Sequence, residues 1–234
     1  MRWLVTNDDG IDALGLRVLT AVAARLGTPT VVAPAGALSG CSHRVTSDEP
    51  FRVTSRDSRT HVVHGTPADC VRVGLHGLAT DADWVLSGIN HGGNLGVDVL
   101  HSGTVAAVRE GVLHGKPGIA LSHFRKRSLP GFDDADFDWG RIADWIEPVV
   151  RDLASRPWQP GTFWNVNLPH LPPESDRPET VFCPIERSPL PLEYRRDGDV
   201  WNYSGSYPHR PRVGGSDVDV CFGGRIAVTL LSVF

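Results

Sequence analysis

Arg2-Trp3-Leu4-Val5-Thr6-Asn7-Asp8-Asp9-Gly10 is the stretch whose reading decides the fold. Trp3–Thr6 reads as a short apolar strand, ended by two adjacent carboxylates and a glycine. A helix pattern begins soon after, with Leu16, Leu19, Ala23 and Leu26 at three- and four-residue spacing. A strand that feeds a helix opens an α/β sheet, and ligands of such sheets bind beyond the carboxyl ends of the strands. Two ionised carboxylates side by side repel each other, so a fold that places both there compensates with a cation or a shared proton. Asn, Asp and Gly are also ordinary turn residues, so the tetrapeptide alone leaves both readings open.

The alternation continues outward. Thr30–Ala33 is a second strand, closed by Pro34. Arg44–Thr54 and His61–Val63 read as extended segments around a charged turn. Pro67 suits the first turn of a helix, where its missing N–H lies among the unpaired ones, and Val71, Leu75 and Leu78 give that helix its buried stripe. Strand Trp84–Ser87 leads into a glycine-rich loop, Gly88–Gly103. A helix from Thr104 buries Val105, Val108 and Val112. Strand Gly118–Ser122, a polar surface loop over Arg125–Asp138, a helix carrying Ile142, Trp145, Val149 and Leu153, and strand Phe163–Val166 follow.

This rhythm predicts an α/β fold, a Rossmann-like three-layer sandwich with a mostly parallel sheet. Prolines at 169, 172, 173, 178, 184, 189 and 191 then exclude long helices, while Val200–Tyr203 and Arg225–Val233 look like strands. The expected organisation is a single domain over 1–234, with an α/β core to 169 and a β-rich extension over 170–234.

Composition narrows the class. With 234 residues, 41% hydrophobic and 21% charged, the chain suits one globular domain. A net charge of −4 argues against a nucleic-acid-coating surface. The four cysteines, at 41, 70, 183 and 221, form no Cys-x-x-Cys pair. No apolar run approaches the roughly 18–20 residues that span a bilayer. A cytoplasmic enzyme with free thiols, touching neither membrane nor nucleic-acid duplex, is the expectation.

Three strand-following loops carry the candidate chemistry: Asn7–Gly10, Leu38–Ser42, and Ser87-Gly88-Ile89-Asn90-His91-Gly92-Gly93-Asn94-Leu95-Gly96. In a parallel sheet they share one edge. Their carboxylate, hydroxyl and amide oxygens are hard ligands that suit Mg²⁺ or Mn²⁺. Singly, Ser39 and Asn90 read best as turn residues. His101-Ser102-Gly103-Thr104 precedes a helix, so its hydroxyls can cap that helix, and its free N–H groups can hold an anion.

Asn7–Gly10, Ser39-Gly40, Gly65-Thr66-Pro67-Ala68-Asp69-Cys70-Val71, Ser87-Gly88-Ile89-Asn90, Asn94-Leu95-Gly96 and Ser102-Gly103-Thr104 occur in the order of the survival protein SurE family, which the chain resembles. Asn165–Pro169 and Ser216-Asp217 look like the family's later landmarks. The resemblance implies a metal-dependent 5′/3′-nucleotidase, a phosphatase acting on nucleoside monophosphates. It implies Asp8, Asp9, Ser39 and Asn90 as ligands of one divalent cation, with Asp8 and Asp9 catalytic. It sets Ser102, Gly103 and Thr104 against the phosphate, with Asn94 near the same pocket. It also implies a homodimer or homotetramer, with the C-terminal β-rich region as the oligomerisation arm. The chain departs from the family at Ala35-Gly36, where an Asp-Arg pair is common, at His101, where a tyrosine is common, and in stopping at Phe234.

Other residues invite competing chemistry. Ten histidines show no His-Glu-x-x-His spacing. His43, His91 and His101 lie in the site loops, where one could protonate a leaving oxygen, although a solvent-facing or substrate-adjacent role is the simpler reading. Cys41 reads as a small turn residue rather than a reactive thiol. Trp201, Tyr203 and Tyr207 suit packing or an intersubunit contact as well as a nucleobase. Without Gly-x-Gly-x-x-Gly, a dinucleotide-cofactor enzyme is disfavoured. The leading expectation is a metal-dependent phosphomonoesterase; the alternative is a non-catalytic nucleotide-binding or interaction protein on the same scaffold.

Overall fold

The structure, a computed structural model, describes residues 1–125, 139–172, 174–205 and 207–234. From residue 126 onward the loop expected over Arg125–Asp138 lies outside the described residues, as does Pro173.

Strand β1 (Arg2–Thr6) lies inside the main sheet, with β2 (Thr28–Pro34) parallel to it on one side and β5 (Trp84–His91) on the other. Beyond β2 come β4 (Thr60–Val63) and β3 (Val53–Asp57). Beyond β5 come β6 (Gly118–His123), β7 (Thr162–Leu168), β11 (Ile226–Ser232) and β8 (Thr180–Phe182). The order is β3-β4-β2-β1-β5-β6-β7-β11-β8, antiparallel only between β3 and β4 and between β7 and β11.

Two apolar layers explain the strand sequences. Trp3 and Val5 face α1 (Leu14–Leu26) and α4 (Trp139–Ser155), while Leu4 between them faces α2 (Pro67–Val73) and α3 (Gly103–Leu113). Leu86, Ile119 and Leu121 join the first layer; Val85 and Ala120 join the second. Strands covered on both faces have no polar alternation, and each fully buried aliphatic side chain contributes about 1.5–3 kcal/mol.

The chain leaves β1 towards β2 and β4, then crosses back to β5 on the other side of β1. That reversal makes the β1/β5 boundary the topological switch point, where a crevice opens at the carboxyl edge. The β6–α4–β7 crossover has a further peculiarity. It steps in the same direction as β5–α3–β6, yet α4 lies on the opposite face from α3. Its hand is therefore opposite to that of the neighbouring crossover, against the strong general preference for one hand.

Several expectations shift in detail. Of Arg44–Thr54, read as extended, only Val53 and Thr54 lie in a strand, β3, which runs on to Asp57. The helix begun at Pro67 gives way at Gly74 to a π-helical turn that carries Leu75 and Leu78. The 170–234 region divides. β8 and β11 belong to the main sheet, and α5 (Asp217–Phe222) packs over the glycine-rich loop through Val218 and Cys221 beside Leu95. Among the described residues only β9 (Tyr194–Asp197) and β10 (Val200–Tyr203) form a separate hairpin, which exposes Tyr194, Val200, Trp201 and Tyr203.

α1 touches the switch point through Gly15. A Cβ built there would lie 2.0 Å from the carbonyl oxygen of Ile89 in β5. On helix propensity alone, Gly15→Ala would stabilise by about 1 kcal/mol. Overpacking against fixed backbone costs about 1–3 kcal/mol or more and opposes that gain. We expect the variant to be destabilised, by about 1 kcal/mol or more, as a lower midpoint in urea unfolding; an unchanged or higher midpoint would contradict this packing.

Candidate active site

Asn7 shapes the turn that ends β1. It is fully buried, and its side-chain amide donates to the Gly10 carbonyl at 2.9 Å. The two carboxylates that follow are thereby sent to different partners. Asp8 is only 5% exposed and accepts a hydrogen bond from the Thr104 hydroxyl at 2.6 Å. Asp9, half-buried, accepts from the backbone N–H of His91 at 3.1 Å. One carboxylate therefore faces the first turn of α3 and the other the end of β5.

Burial pushes the Asp8 carboxyl up to about 6; the Thr104 hydroxyl opposes this and the charge of Asp9 adds to it. Burial also raises Asp9, against the His91 N–H. The fold thus holds ionised Asp8 at a cost that a cation beside it would offset.

The close approach of α3 depends on Gly103. A Cβ there would sit 2.9 Å from an oxygen of Asp8 and 3.0 Å from the sulfur of Cys41. Ser102 caps the helix, its hydroxyl oxygen accepting from the Val105 N–H at 3.0 Å. As an acceptor there, that hydroxyl keeps its own proton to donate. Capping therefore belongs to Ser102, whereas the Thr104 hydroxyl is committed to Asp8.

Asn90 follows a bulge, where β5 carries one more residue than β6 between Ser87 and Asn90. Bulges re-aim side chains beside functional sites. The Asn90 amide nitrogen donates to the Gly92 carbonyl at 2.8 Å, leaving the amide oxygen as the atom for a ligand. Ser39 is exposed on a turn whose Leu38 N–H donates to the Asp8 carbonyl at 2.8 Å. The loops of Asp8, Asp9, Ser39, Asn90 and Ser102–Thr104 therefore meet at the carboxyl edge.

Two carboxylates, a hydroxyl and an amide oxygen are a hard donor set that fits Mg²⁺ or Mn²⁺. Among the described residues, no three His, Cys, Asp or Glu side chains gather to hold a metal. A set with only two carboxylates is of a different kind from such a cluster.

Asn94 has a second occupation. It is buried, its N–H donates to the Asn167 side-chain oxygen at 2.8 Å, and its side-chain amide donates to the Ser122 hydroxyl at 2.7 Å. Its carbonyl accepts from Asn165 at 2.9 Å and Asn167 at 3.0 Å. Further along the loop, Gly96 donates to Asp217 at 2.8 Å. Asn165, Asn167 and Asp217 thus hold the glycine-rich loop in place. Sequence reasoning noted them only as landmarks, because partners about 70 residues or more away carry no local spacing signal.

His43 pairs with Glu110 at 2.7 Å, and the His101 carbonyl accepts from the Ser42 N–H at 3.2 Å. Burial and Asp8 push the Cys41 thiol up, away from a reactive thiolate. Tyr207 donates to the Gly93 carbonyl at 3.2 Å, while Trp201 and Tyr203 stand on the exposed hairpin.

A layered α/β sheet with polar loops converging at its switch point defines a ligand-handling α/β protein, and sequence comparison gives the family. Residues 3–188 match the model described as "Survival protein SurE". A Nostoc protein named "Putative 5'-nucleotidase alr3139" is 49% identical over the whole of both chains. The "5'-nucleotidase SurE" of Laribacter hongkongensis is 38% identical, covering 100% of this chain and 93% of that one. The crystal structure of the SurE protein from Aquifex aeolicus superposes with a TM-score of 0.84 at 30% identity, covering 100% of this chain and 94% of that one. The chain belongs to the SurE family.

Asp8 yields a pH prediction for the metal-free protein. Its folded value, about 6, lies above the ordinary carboxylate value, so the folded state binds the extra proton. The contribution of Asp8 to stability therefore falls as pH rises from about 4 to 6, then levels off. Asp8→Asn keeps an acceptor for Thr104 and removes the charge. Its unfolding free energy should exceed that of the wild type at pH 7.5 by up to about 3 kcal/mol, read as a higher thermal midpoint, and the gap should close by about pH 4. Equal midpoints at both pH values would refute the buried-charge account.

Proposed function

We propose that the protein is a divalent-metal-dependent phosphomonoesterase, a 5′-nucleotidase that splits nucleoside monophosphates into nucleoside and phosphate. One observation carries this reading: buried Asp8, beside Asp9, is bonded to Thr104 in the first turn of α3. A phosphate held at that helix start would be repelled by two carboxylates unless a cation lay between them. The printed names of the relatives support the substrate class.

Asp8, Asp9, Ser39 and Asn90 are the residues that would hold the cation. When bound, Mg²⁺ or Mn²⁺ supplies a Lewis acid for a phosphoryl oxygen. The N–H groups at the start of α3 bind the phosphate oxygens, aided by the helix dipole, and the Ser102 hydroxyl donates its proton to one of them. Thr104 holds the Asp8 carboxylate in one orientation. The Asp8/Asp9 pair supplies the base that takes a proton from attacking water, or the nucleophile itself. Asn94 lines the same edge, its loop stiffened from β7.

We place this chemistry in the cytoplasm, with no membrane or nucleic-acid duplex as partner; among the described residues no helix is long and apolar enough to cross a membrane. We read 1–234 as one domain whose exposed β9–β10 hairpin joins copies into a dimer or tetramer. Light scattering at micromolar concentration should show more than a monomer, and Trp201→Ser with Tyr203→Ser should shift it towards one. A monomeric wild type would rule the arm out.

Hydrolysis of a nucleoside monophosphate should require Mg²⁺ or Mn²⁺ and stop on chelation. Asp8→Asn and Asp9→Asn should each lower kcat by about 100-fold or more with the fold intact. Asn90→Ala should need about tenfold more metal and recover rate when metal saturates. Ser102→Ala should also lose about 1 kcal/mol of stability through its lost cap. Full turnover after exhaustive chelation, or by Asp8→Asn, would overturn the proposal.

A further inference from the structure

The loop that carries Ser39 is tied down around its exposed turn. Before the turn, Leu38 is bonded to the Asp8 carbonyl. After it, the Ser42 hydroxyl donates to the Leu100 carbonyl at 2.8 Å, and the Arg44 carbonyl accepts from Thr66 at 2.6 Å. Thr46 makes two bonds to buried Asp69, at 2.9 and 2.7 Å. Ser39 and Gly40, between these ties, are exposed.

A further tie runs to α3, the helix whose first turn holds Asp8. Glu110 in α3 is 5% exposed. Its two oxygens divide their partners. One faces His114, just past the end of α3, at 2.9 Å and Arg72 of α2 at 3.2 Å. The other takes His43 of the Ser39 loop at 2.7 Å. Burial works to raise the Glu110 carboxyl, but the bonds from His43 and His114 and the charge of Arg72 prevail and hold it below its ordinary value. A buried ionised carboxylate strongly disfavours losing a partner, so the His43 contact constrains the loop. Glu110 also lies less than two helical turns from Thr104, which holds Asp8.

We propose that Glu110 is a positioning residue for the metal site: through His43 it fixes the Ser39 loop to the same helix whose first turn holds Asp8. This rests on the reading of Ser39 as a metal ligand. α3 then acts as a ruler that sets the spacing between ligands on two loops. His43 is the link in this tie.

The test uses the full chain and two readouts. Hydrogen exchange of the Cys41 and Ser42 amides in metal-free protein reports loop anchoring, and calorimetric titration with Mn²⁺ reports the site. His43→Ala and Glu110→Gln should each speed exchange and weaken Mn²⁺ binding by about tenfold, as losing a residue that orients ligands does. The double variant should be no weaker than the worse single one. His43→Gln, which can still donate to Glu110, should restore most of the affinity. His114→Ala removes a partner of the other oxygen and should leave both readouts near wild type. If Glu110→Gln fails to fold, His43→Ala, on the outer side of the pair, still decides the matter. Unchanged exchange or affinity in His43→Ala, or an equal loss in His114→Ala, would overturn the proposal while Mn²⁺ binding by the wild type persists. No Mn²⁺ binding by the wild type would overturn the metal-site reading and this proposal with it.

Discussion

Two carboxylates end a strand that lies inside a parallel sheet, and much of the surrounding architecture accommodates them. Asp8 is buried, yet its neighbour Asp9 bears the same charge. The fold answers with donors from two directions: a hydroxyl from the first turn of α3 and a backbone N–H from the end of β5. Neither donor neutralises a charge. The site is therefore electrostatically incomplete as a protein structure, which is the condition in which a cation contributes most. Gly103 is part of the same accommodation, since any side chain there would collide with Asp8.

Most of the alternating strands and helices between Trp3 and Val166 were legible among the described residues, because strands buried on both faces and helices with one apolar stripe leave strong periodic signals. The convergence of the three loops was legible for the same reason: parallel strands put their following loops on one edge. What stayed hidden depends on distant partners. The position of β11 between β7 and β8 is one example, since a strand's neighbours are not written in its own residues. The face chosen by α4 is another: its apolar stripe would suit either side of the sheet, and it packs against α1. The roles of Ser102 and Thr104 also needed coordinates. Both hydroxyls can cap a helix, and only geometry assigns the cap to one and Asp8 to the other.

The glycine-rich loop shows how flexible residues are made into a rigid site. Gly92, Gly93 and Gly96 contribute no side-chain contacts of their own. Side-chain amides of Asn165 and Asn167 instead grip the Asn94 carbonyl, and Asp217 grips the Gly96 N–H. These are buried polar contacts in a low-dielectric setting, where each satisfied bond counts for more and each broken one costs more. The glycine content lets the backbone follow the crevice, and the amides remove the freedom that would otherwise blur it.

The placement of β11 bears on how the chain is made. β7 offers its outer edge to β11, from Thr162 paired with Ser232 to Asn167 paired with Ala227. Roughly 60 residues separate the two strands, so during synthesis at ~5–20 residues per second the edge of β7 emerges on the order of 3–12 s before its partner. For that interval Phe163, Trp164 and Val166 lie on an open strand edge, the kind that pairs with other chains. The same strand carries the two asparagines that brace the glycine-rich loop. A ribosome that pauses between β7 and β11 would thus hold a nascent chain that is both prone to aggregate and without a finished brace for its crevice, and a folding helper that covers a strand edge would act at this point.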